Sequence, residues 1–535
     1  MYVLGIHGGV TINQHDAAAC IFKNGKLIIA IEEERLTRIK SSNGMMPIMS
    51  VRTCLKHCNL DIKKINYVTV VGKTYKDIKK RTAEWFTHHF GYSPIIKVVD
   101  HQLAHASSAF YHSNFKRSAI ITYDAWGDRL SGLLAIGDKK KGIKVFKKIP
   151  AKNSLGAFYS AMTSFLGFKP NEDEYKVMGL APYGKNTFDL SFFCKPDGNF
   201  FYCDTKYFKE RKNATVYEQF YSNELIKKLG KPRLRDEKIT QKYKNIACST
   251  QNTLEECAMN LIKNFCKLTN EEHVCFAGGV ALNCTLNGRI YKQNYIKKIF
   301  IQPAASDRGL ALGGALYFLS QKKIKIKKLE NVFFGPIYSK KKILNALKIS
   351  GLKFKKIKNP SLLAAKLLAR GKILGWYQGR SEFGPRALGN RSILANPSLK
   401  WMKDKINKKI KFREEFRPFA PSVLIDQSKE LFNIKDPSPF MTATFDVKNE
   451  WSKRIPATTH INNTARVQTV SSNENKKFYK LIKNFYKITG IPCVLNTSFN
   501  IRGQPIVETP FDALATFAAN GIDCLIINDY FLIKE

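Results

Sequence analysis

The chain has 535 residues, 44% of them hydrophobic, with 88 Lys and Arg against 43 Asp and Glu and a net charge of +45. That length asks for two to four domains. The apolar content supports sizeable cores and excludes disorder as the default, and the lack of any apolar run of 18 residues excludes a transmembrane helix. The opening residues lack a basic stretch followed by an apolar core, so no signal peptide is expected and the location reads as cytoplasmic. The 12 cysteines contain no CxxC pair. The nine-residue spacing of Cys248, Cys257, Cys266, Cys275 and Cys284 alternates helical faces and is a coincidence; scattered thiols in a reducing compartment account for it. The lysines are dispersed and no aromatic residues interleave with them for base stacking. The charge therefore reads as lysine-biased composition, nucleic acid is not expected as a partner, and only a few specific arginines are assigned to anionic substrates.

Tyr2–Ile6, Ala19–Phe22 and Leu27–Ile31 read as strands, the first two joined by a polar loop, Gly8–Asp16, that follows His7 closely and carries His15 and Asp16. Met49–Cys58 reads as a helix and Tyr67–Val71 as a strand. This β-β-β-α-β start fits a ribonuclease H-like ATPase domain. It does not fit a Rossmann domain, which would open on GxGxxG.

The stretch VVDHQLAHASSAFYHSNFKRSAIITYDAWGD, 98–128, carries the densest chemistry of the first half. Val98 and Val99 end a strand, and Asp100 can cap the helix that follows. His101 and His105 then lie four apart on one helical face. Ala119–Tyr123 reads as a strand that delivers Asp124 at its end. Two imidazoles and a carboxylate suit a divalent transition metal with open coordination positions. The alternative is one core and one surface histidine beside a loop aspartate.

Tyr202–Lys244 is polar and reads as an insertion. Asn245–Lys267 reads as a helix, and Val274–Ala277 as a strand running into Gly278, Gly279 and then Asn283, which can bring backbone N–H groups to a nucleotide or only make a tight turn. After a strand at Ile299–Ile301, Asp307 stands near the start of another helix. Two similar halves suggest a duplicated α/β domain. A lysine-rich stretch and the turn at Gly335–Tyr338 mark a boundary, giving blocks 1–345 and 346–535, the second opening with a helix at Ser361–Arg370 and a strand at Ile373–Tyr377.

The second block holds four polar motifs: GRSEFGPRALGNRS, KFREEFRPFAPSV, TARVQTV and LNTSFNIRGQPIV. Arg386, Arg417 and Arg466 each stand among small or apolar residues, where guanidinium forks grip phosphate or carboxylate. Bridges to Glu382, Glu414 and Glu508 are the competing reading for any one of them; for all three together an anion site is favoured. Asn496, Thr497 and Ser498 follow a strand at Cys493–Leu495 and can offer neutral hydrogen bonds.

HQLAHASSAFY, YDAWGD, EYKVMGLAPYG, FAGGVALN, QPAASD, GPRALGNRSILA, FRPFAPSV, THINNTARVQTV and LNTSFNIRGQPIV together resemble the O-carbamoyltransferases of nodulation-factor, cephamycin and tobramycin biosynthesis, in the same order along the whole chain. The resemblance implies an actin-like N-terminal domain of the threonylcarbamoyl-transferase branch and a smaller α/β, YrdC-like C-terminal domain. It implies that carbamoyl phosphate and ATP form carbamoyl-adenylate in the second domain, with Arg386, Arg417, Arg466, Asn496 and Ser498 holding the anions and Lys411 assisting. It implies transfer in the first domain to a hydroxyl of a sugar, sugar nucleotide or natural product. There His101, His105, Asp124 and Asp307 would bind iron(II), Fe(2+), or another divalent ion, and ATP leaves room for Mg(2+). Asp124 is in addition counted among the catalytic residues, as is His15, on the acceptor side, as base or orienting group. Gly278, Gly279 and Asn283 would line the nucleotide, Lys40 its phosphates, and a homodimer is implied. The chain departs from the family pattern in a longer loop before His15 and in Arg308, where a small residue is common. A tRNA threonylcarbamoyl transferase and a non-catalytic nucleotide-binding regulator are the competing functions.

Overall fold

In the computed structural model, which describes residues 1–9, 14–209 and 219–534, the chain opens on a meander of three antiparallel strands. These are β1 (Tyr2–His7), β2 (Ala18–Lys23) and β3 (Lys26–Glu32). β4 (Tyr67–Val71) and β5 (Ile95–Val99) then add in parallel, giving the order β3-β2-β1-β4-β5. The pattern repeats. β6 (Arg117–Gly127), β7 (Leu130–Asp138) and β8 (Gly142–Pro150) form a second antiparallel meander. A hairpin of β9 (Cys194–Asp197) and β10 (Phe200–Cys203) intervenes. β11 (His273–Ala277) and β12 (Lys298–Ile301) add in parallel to β6, giving β12-β11-β6-β7-β8. This is the duplicated sheet expected from the sequence. The central strands, such as the YVTVV of β4, are almost wholly buried because helices cover both faces.

Two helices join the halves. The His101 helix (His101–Phe110) packs on β6 and β11, and the Leu310 helix (Leu310–Gln321) packs on β1 and β4. The two also pack on each other. Gly313 makes that approach possible, because a Cβ there would overlap the carbonyl oxygen of Ala104. These residues belong to one compact unit, Met1–Glu33 with Ser41–Leu329. The 202–244 stretch contributes the end of β10 and a helix, Asn223–Leu229; residues 210–218 of that insertion, like 10–13 of the opening loop, lie outside the described residues.

The second compact unit comprises Glu34–Lys40 and Glu330–Glu535, so the change of unit falls at Leu329 and a seven-residue piece from the start of the chain belongs here. Its mixed eight-stranded sheet runs, edge to edge, through Phe354–Lys356, Tyr530–Ile533, Cys524–Ile527, Leu374–Tyr377, Arg391–Ala395, Cys493–Ser498, Ala420–Leu424 and Gln468–Val470. Four consecutive strands of this sheet carry the four polar motifs. One core cluster, including Ile393, Leu495, Phe499 and Phe517, underlies it. No helix among the described residues is long and apolar enough to cross a membrane.

Two outcomes follow from this packing. Gly313→Ala is expected to lower stability by about 1–3 kcal/mol through overpacking, measured by urea unfolding. His112, just beyond the His101 helix, is 2% exposed, and burial, aided by the charge of Lys139, pushes its pKa from 6.5 down to about 3. Its neutral form therefore stabilises the fold fully above the unfolded value of 6.5, and that stability is lost as pH falls towards 3. His112→Leu is expected to shallow the fall in melting temperature between about pH 6.5 and 4.5 relative to the parent chain.

Candidate functional site

The Asp100 carboxylate accepts the backbone N–H of Leu103 at 3.0 Å and so starts the His101 helix, as its sequence position predicts. His101 and His105 lie one turn apart on it, with ring centroids 4.8 Å apart. Asp124 arrives from β6. Its Oδ2 lies 3.0 Å from His101 Nε2 and 3.3 Å from His105 Nε2. Asp307 arrives from the turn that leads into the Leu310 helix, and its Oδ1 lies 3.7 and 3.4 Å from the same two nitrogens. One ligand atom from each of the four residues falls within 4.8 Å of every other. Two imidazoles and two carboxylates converging at that spacing, all at least largely buried, form a donor set that fits a divalent transition metal. The first-turn N–H groups of the two helices add positive potential near the carboxylates.

Electrostatics follow from the convergence. Burial alone would raise the Asp124 pKa, but hydrogen bonds with His101 and His105 hold it below the ordinary carboxylate range. Asp307 is likewise held low against its burial by the charge of His101 and by bonds with His105 and His7. Conversely His105, which burial would discharge, is pushed up to about 9 by the two aspartates.

Several groups around the quartet were not singled out as site residues from the sequence. His7, the polar last residue of an otherwise apolar β1, is 1% exposed, with Nε2 3.6 Å from Asp307 Oδ2. Asp128 accepts the backbone N–H of His101 at 2.8 Å, together with the N–H groups of Lys73 and Thr74, and so orients the first ligand. Asp16 receives Arg308 Nη2 at 2.6 Å and Ser306 Oγ at 2.7 Å, clamping both residues that flank Asp307. The family-atypical Arg308 thus has a buried partner. His15 is about one-third exposed, its Nδ1 3.7 Å from Asp16 Oδ2. Burial would lower its pKa, but Asp16, Asp307 and Asp124 outweigh that and raise it to about 10.

The residues expected to line a nucleotide have other partners. Gly278 sits at φ +91°, pressed against the backbone of Tyr123. The Gly279 N–H points at Asp124 Oδ1, 3.3 Å away. Asn283 caps the helix Cys284–Tyr291, and its amide exchanges two 3.0 Å hydrogen bonds with Gln251. Lys40 is the last residue of the Glu34–Lys40 segment and belongs to the second unit.

In the second unit the motifs converge on the strand Cys493–Ser498. Asn496 Nδ2 donates to the Ala387 carbonyl (3.2 Å), Ser422 Oγ (2.9 Å) and Gln468 Oε1 (3.1 Å), tying together the motifs of Arg386, Arg417 and Arg466. Arg386 is partly buried, one residue before that carbonyl, and Arg466 ends a short strand, Thr464–Arg466, paired with Thr444–Asp446. Arg417 Nη1 lies 3.6 Å from Glu414 Oε2, so here the bridge considered from the sequence is present. Glu382 and Glu508 do otherwise. Glu382 accepts the backbone N–H groups of Leu388, Asn390 and Arg391, while the fully buried Glu508 faces Arg391 at 3.9 Å. Arg391 donates to the Gln378 and Asn390 carbonyls and stacks 3.7 Å over Tyr377, so the second arginine of GPRALGNRS serves the core.

Lys411 ends a π-helical turn, Asn407–Lys411, and its Nζ reaches Ser498 O, Ser498 Oγ (3.3 Å), Asn500 O (3.0 Å) and Asn500 Oδ1 (2.7 Å). Burial, with Arg413 and Arg417 nearby, holds its pKa well below the lysine range. The guanidinium groups of Arg413 and Arg417 beside Lys411 leave this corner attractive to anions.

Comparison with known proteins defines the family. A family model described as carbamoyltransferase N-terminus matches residues 6–90 and 68–316, and one described as carbamoyltransferase C-terminus matches 365–534. Nodulation protein NolNO of Sinorhizobium fredii is 35% identical, over 100% of this chain and 83% of the relative. Nodulation protein NolO of Bradyrhizobium diazoefficiens is 38% identical, over 82% and 79%. Among solved structures, HypF of T. kodakarensis matches with a TM-score of 0.34 at 13% identity, over 61% of this chain and 48% of that one. Component A of the Acidaminococcus fermentans (R)-2-hydroxyglutaryl-CoA dehydratase matches with 0.35 at 15%, over 60% and 99%. The protein is an enzyme of group transfer. It belongs to the carbamoyltransferase family.

Asp307→Ala is expected to weaken binding of Mn(2+) to the full chain at least about as much as loss of an outer-layer partner, 10–100-fold. Calorimetric titration checks this, and an unchanged affinity would remove Asp307 from the donor set.

Proposed function

We propose that the chain is an ATP-dependent O-carbamoyltransferase that works in two stages. In the first, carbamoyl phosphate, water and ATP give carbamoyl-adenylate, pyrophosphate and phosphate. Arg386, Arg417 and Arg466 hold the anions, and the Lys411 contacts keep the Ser498–Asn500 loop in place. In the second, an acceptor hydroxyl attacks the carbamoyl carbon and AMP leaves. AMP is a far better leaving group than a free carbamate offers, which is the chemical reason for activating in advance.

The observation that carries this reading is the meeting of His101, His105, Asp124 and Asp307 within one donor set in a chain of this family. An iron(II)-type ion held there would supply charge stabilisation for the phosphate oxygens and the developing oxyanion. The residues themselves do the rest. Asp128 fixes the backbone of His101, and the Asp16–Arg308 pair fixes the turn around Asp307. His15 is the acceptor-side group. The carboxylates of Asp16, Asp307 and Asp124 raise its pKa, which favours the protonated imidazole and a hydrogen bond donated to orient an oxygen. To act as a base it requires cancellation of the neighbouring carboxylate charge. The acceptor class is a hydroxyl of a sugar, a sugar nucleotide or a natural-product scaffold.

The two stages separate in an assay. With ATP, carbamoyl phosphate and iron(II) but no acceptor, pyrophosphate should be released; its absence rules out the adenylation stage. Arg417→Ala is expected to abolish that release. His105→Ala is expected to spare it while blocking carbamoylation in a screen of sugar nucleotides by mass. If both variants lose the same step, the division into two sites is wrong.

A further inference from the structure

The chain leaves its first unit after Glu33 and returns to it at Ser41; the seven residues between belong to the second unit. They form most of a short helix, Glu33–Thr37, and its exit. Two arginines fasten them there. Arg35 is 1% exposed, and its Nη2 donates to the carbonyl of Gly384 at 2.7 Å. Arg38 forks across the next loop: Nη1 donates to the Ile506 carbonyl at 2.7 Å and Nη2 to the Pro505 carbonyl at 2.9 Å, with Nε 3.8 Å from Asp512 Oδ1.

The carbonyls they hold are not scattered. Gly384 stands two residues before Arg386. Pro505 and Ile506 close the loop that begins at Ser498, where the Val507 N–H returns to the Phe499 carbonyl at 2.9 Å. Loop carbonyls carry no side-chain chemistry of their own, so a buried guanidinium spent on them serves to fix backbone position. A family match that assigns residues 6–90 to the N-terminal half passes over this exchange.

We infer that Arg35 and Arg38 are positioning residues for the anion-binding loops of the second unit, so that carbamoyl activation depends on a segment from the first forty residues of the chain. The inference rests on the two-stage reading above for its functional consequence, and on the hydrogen bonds alone for its structural one. Arg35 sets the backbone that presents Arg386, and Arg38 sets the return of the Ser498–Val507 loop. Neither touches a reacting atom. Their removal lets the loops wander, which weakens the hold on small anions before it affects the fold.

The test uses the full chain with Arg35→Met, Arg38→Met and Arg38→Lys. Pyrophosphate release from ATP and carbamoyl phosphate is measured without acceptor, alongside backbone amide exchange. Each Met variant is expected to raise the KM for carbamoyl phosphate about tenfold or more with a smaller change in kcat, and Arg38→Lys to recover part of that loss. A merely structural role would lower kcat with the folded fraction and leave KM alone, and that result overturns the inference. Amide exchange should quicken at 387–390 and 499–507 while β1–β5 stay protected. If the parent chain releases no pyrophosphate, the two-stage reading fails and exchange alone decides: quickening confined to those loops supports the positioning role, and unchanged exchange there refutes it.

Discussion

The first unit depends on one close contact. The Leu310 helix lies against the His101 helix because Gly313 has no side chain to hold the Ala104 carbonyl away. That contact carries the two ends of the site together. Asp307 precedes one helix and His101 begins the other, and each helix rests on its own sheet. The duplicated sheets provide the scaffold, but the distance between the imidazoles of the His101 helix and Asp307, which are far apart in sequence, is a matter of how closely two backbones approach.

Around that contact the unit uses acidic groups in two roles. Asp124 and Asp307 face the imidazoles directly. Asp128 and Asp16 hold backbone and side chains behind them, one through His101 and the other through Ser306 and Arg308. The outer carboxylates are satisfied within the protein. The inner two face each other across a pair of histidines, an arrangement that stores repulsion unless protons or a cation relieve it. The second unit keeps the same economy with arginines. Arg391 and Glu508 are consumed by the core, and Asn496 laces three motifs to one strand.

Much of this was legible in the sequence where the relevant period is short. His101 and His105 follow the helical repeat, Asp100 is a capping residue in a capping position, and Asp124 ends an apolar strand. The first meander was visible as three apolar runs, whereas of the second only the run Ala119–Tyr123 was read as a strand and Leu130–Asp138 and Gly142–Pro150 were not. Asp307 was reachable only through family resemblance, because no local pattern links it to residues two hundred positions earlier. His7 was read only as a residue beside the polar loop, and the fold brings it to Asp307. Which arginine of GPRALGNRS turns inward could not be read either: Arg386 and Arg391 have similar neighbours in sequence, and their difference arises from the pairing of Arg391–Ala395 within the sheet. The glycines after β11 could be read as a nucleotide approach or as a tight turn, and the sequence did not show that Gly278 lies against the backbone of Tyr123. The exchange of Glu34–Lys40 between units left no signal at all, since a short amphipathic turn reads the same wherever it docks.

That exchanged segment has a consequence for how the molecule is made. Residues 34–40 emerge early from the ribosome, whereas the unit that receives them starts at Glu330. At about 5–20 residues per second, roughly 15–60 s of synthesis separates the two. For that interval Arg35, which ends up buried, waits without its carbonyl, tethered between strands that can already pair. The second unit therefore takes up one of its own pieces only after the intervening residues have been made, when the Gly384 carbonyl becomes available to Arg35.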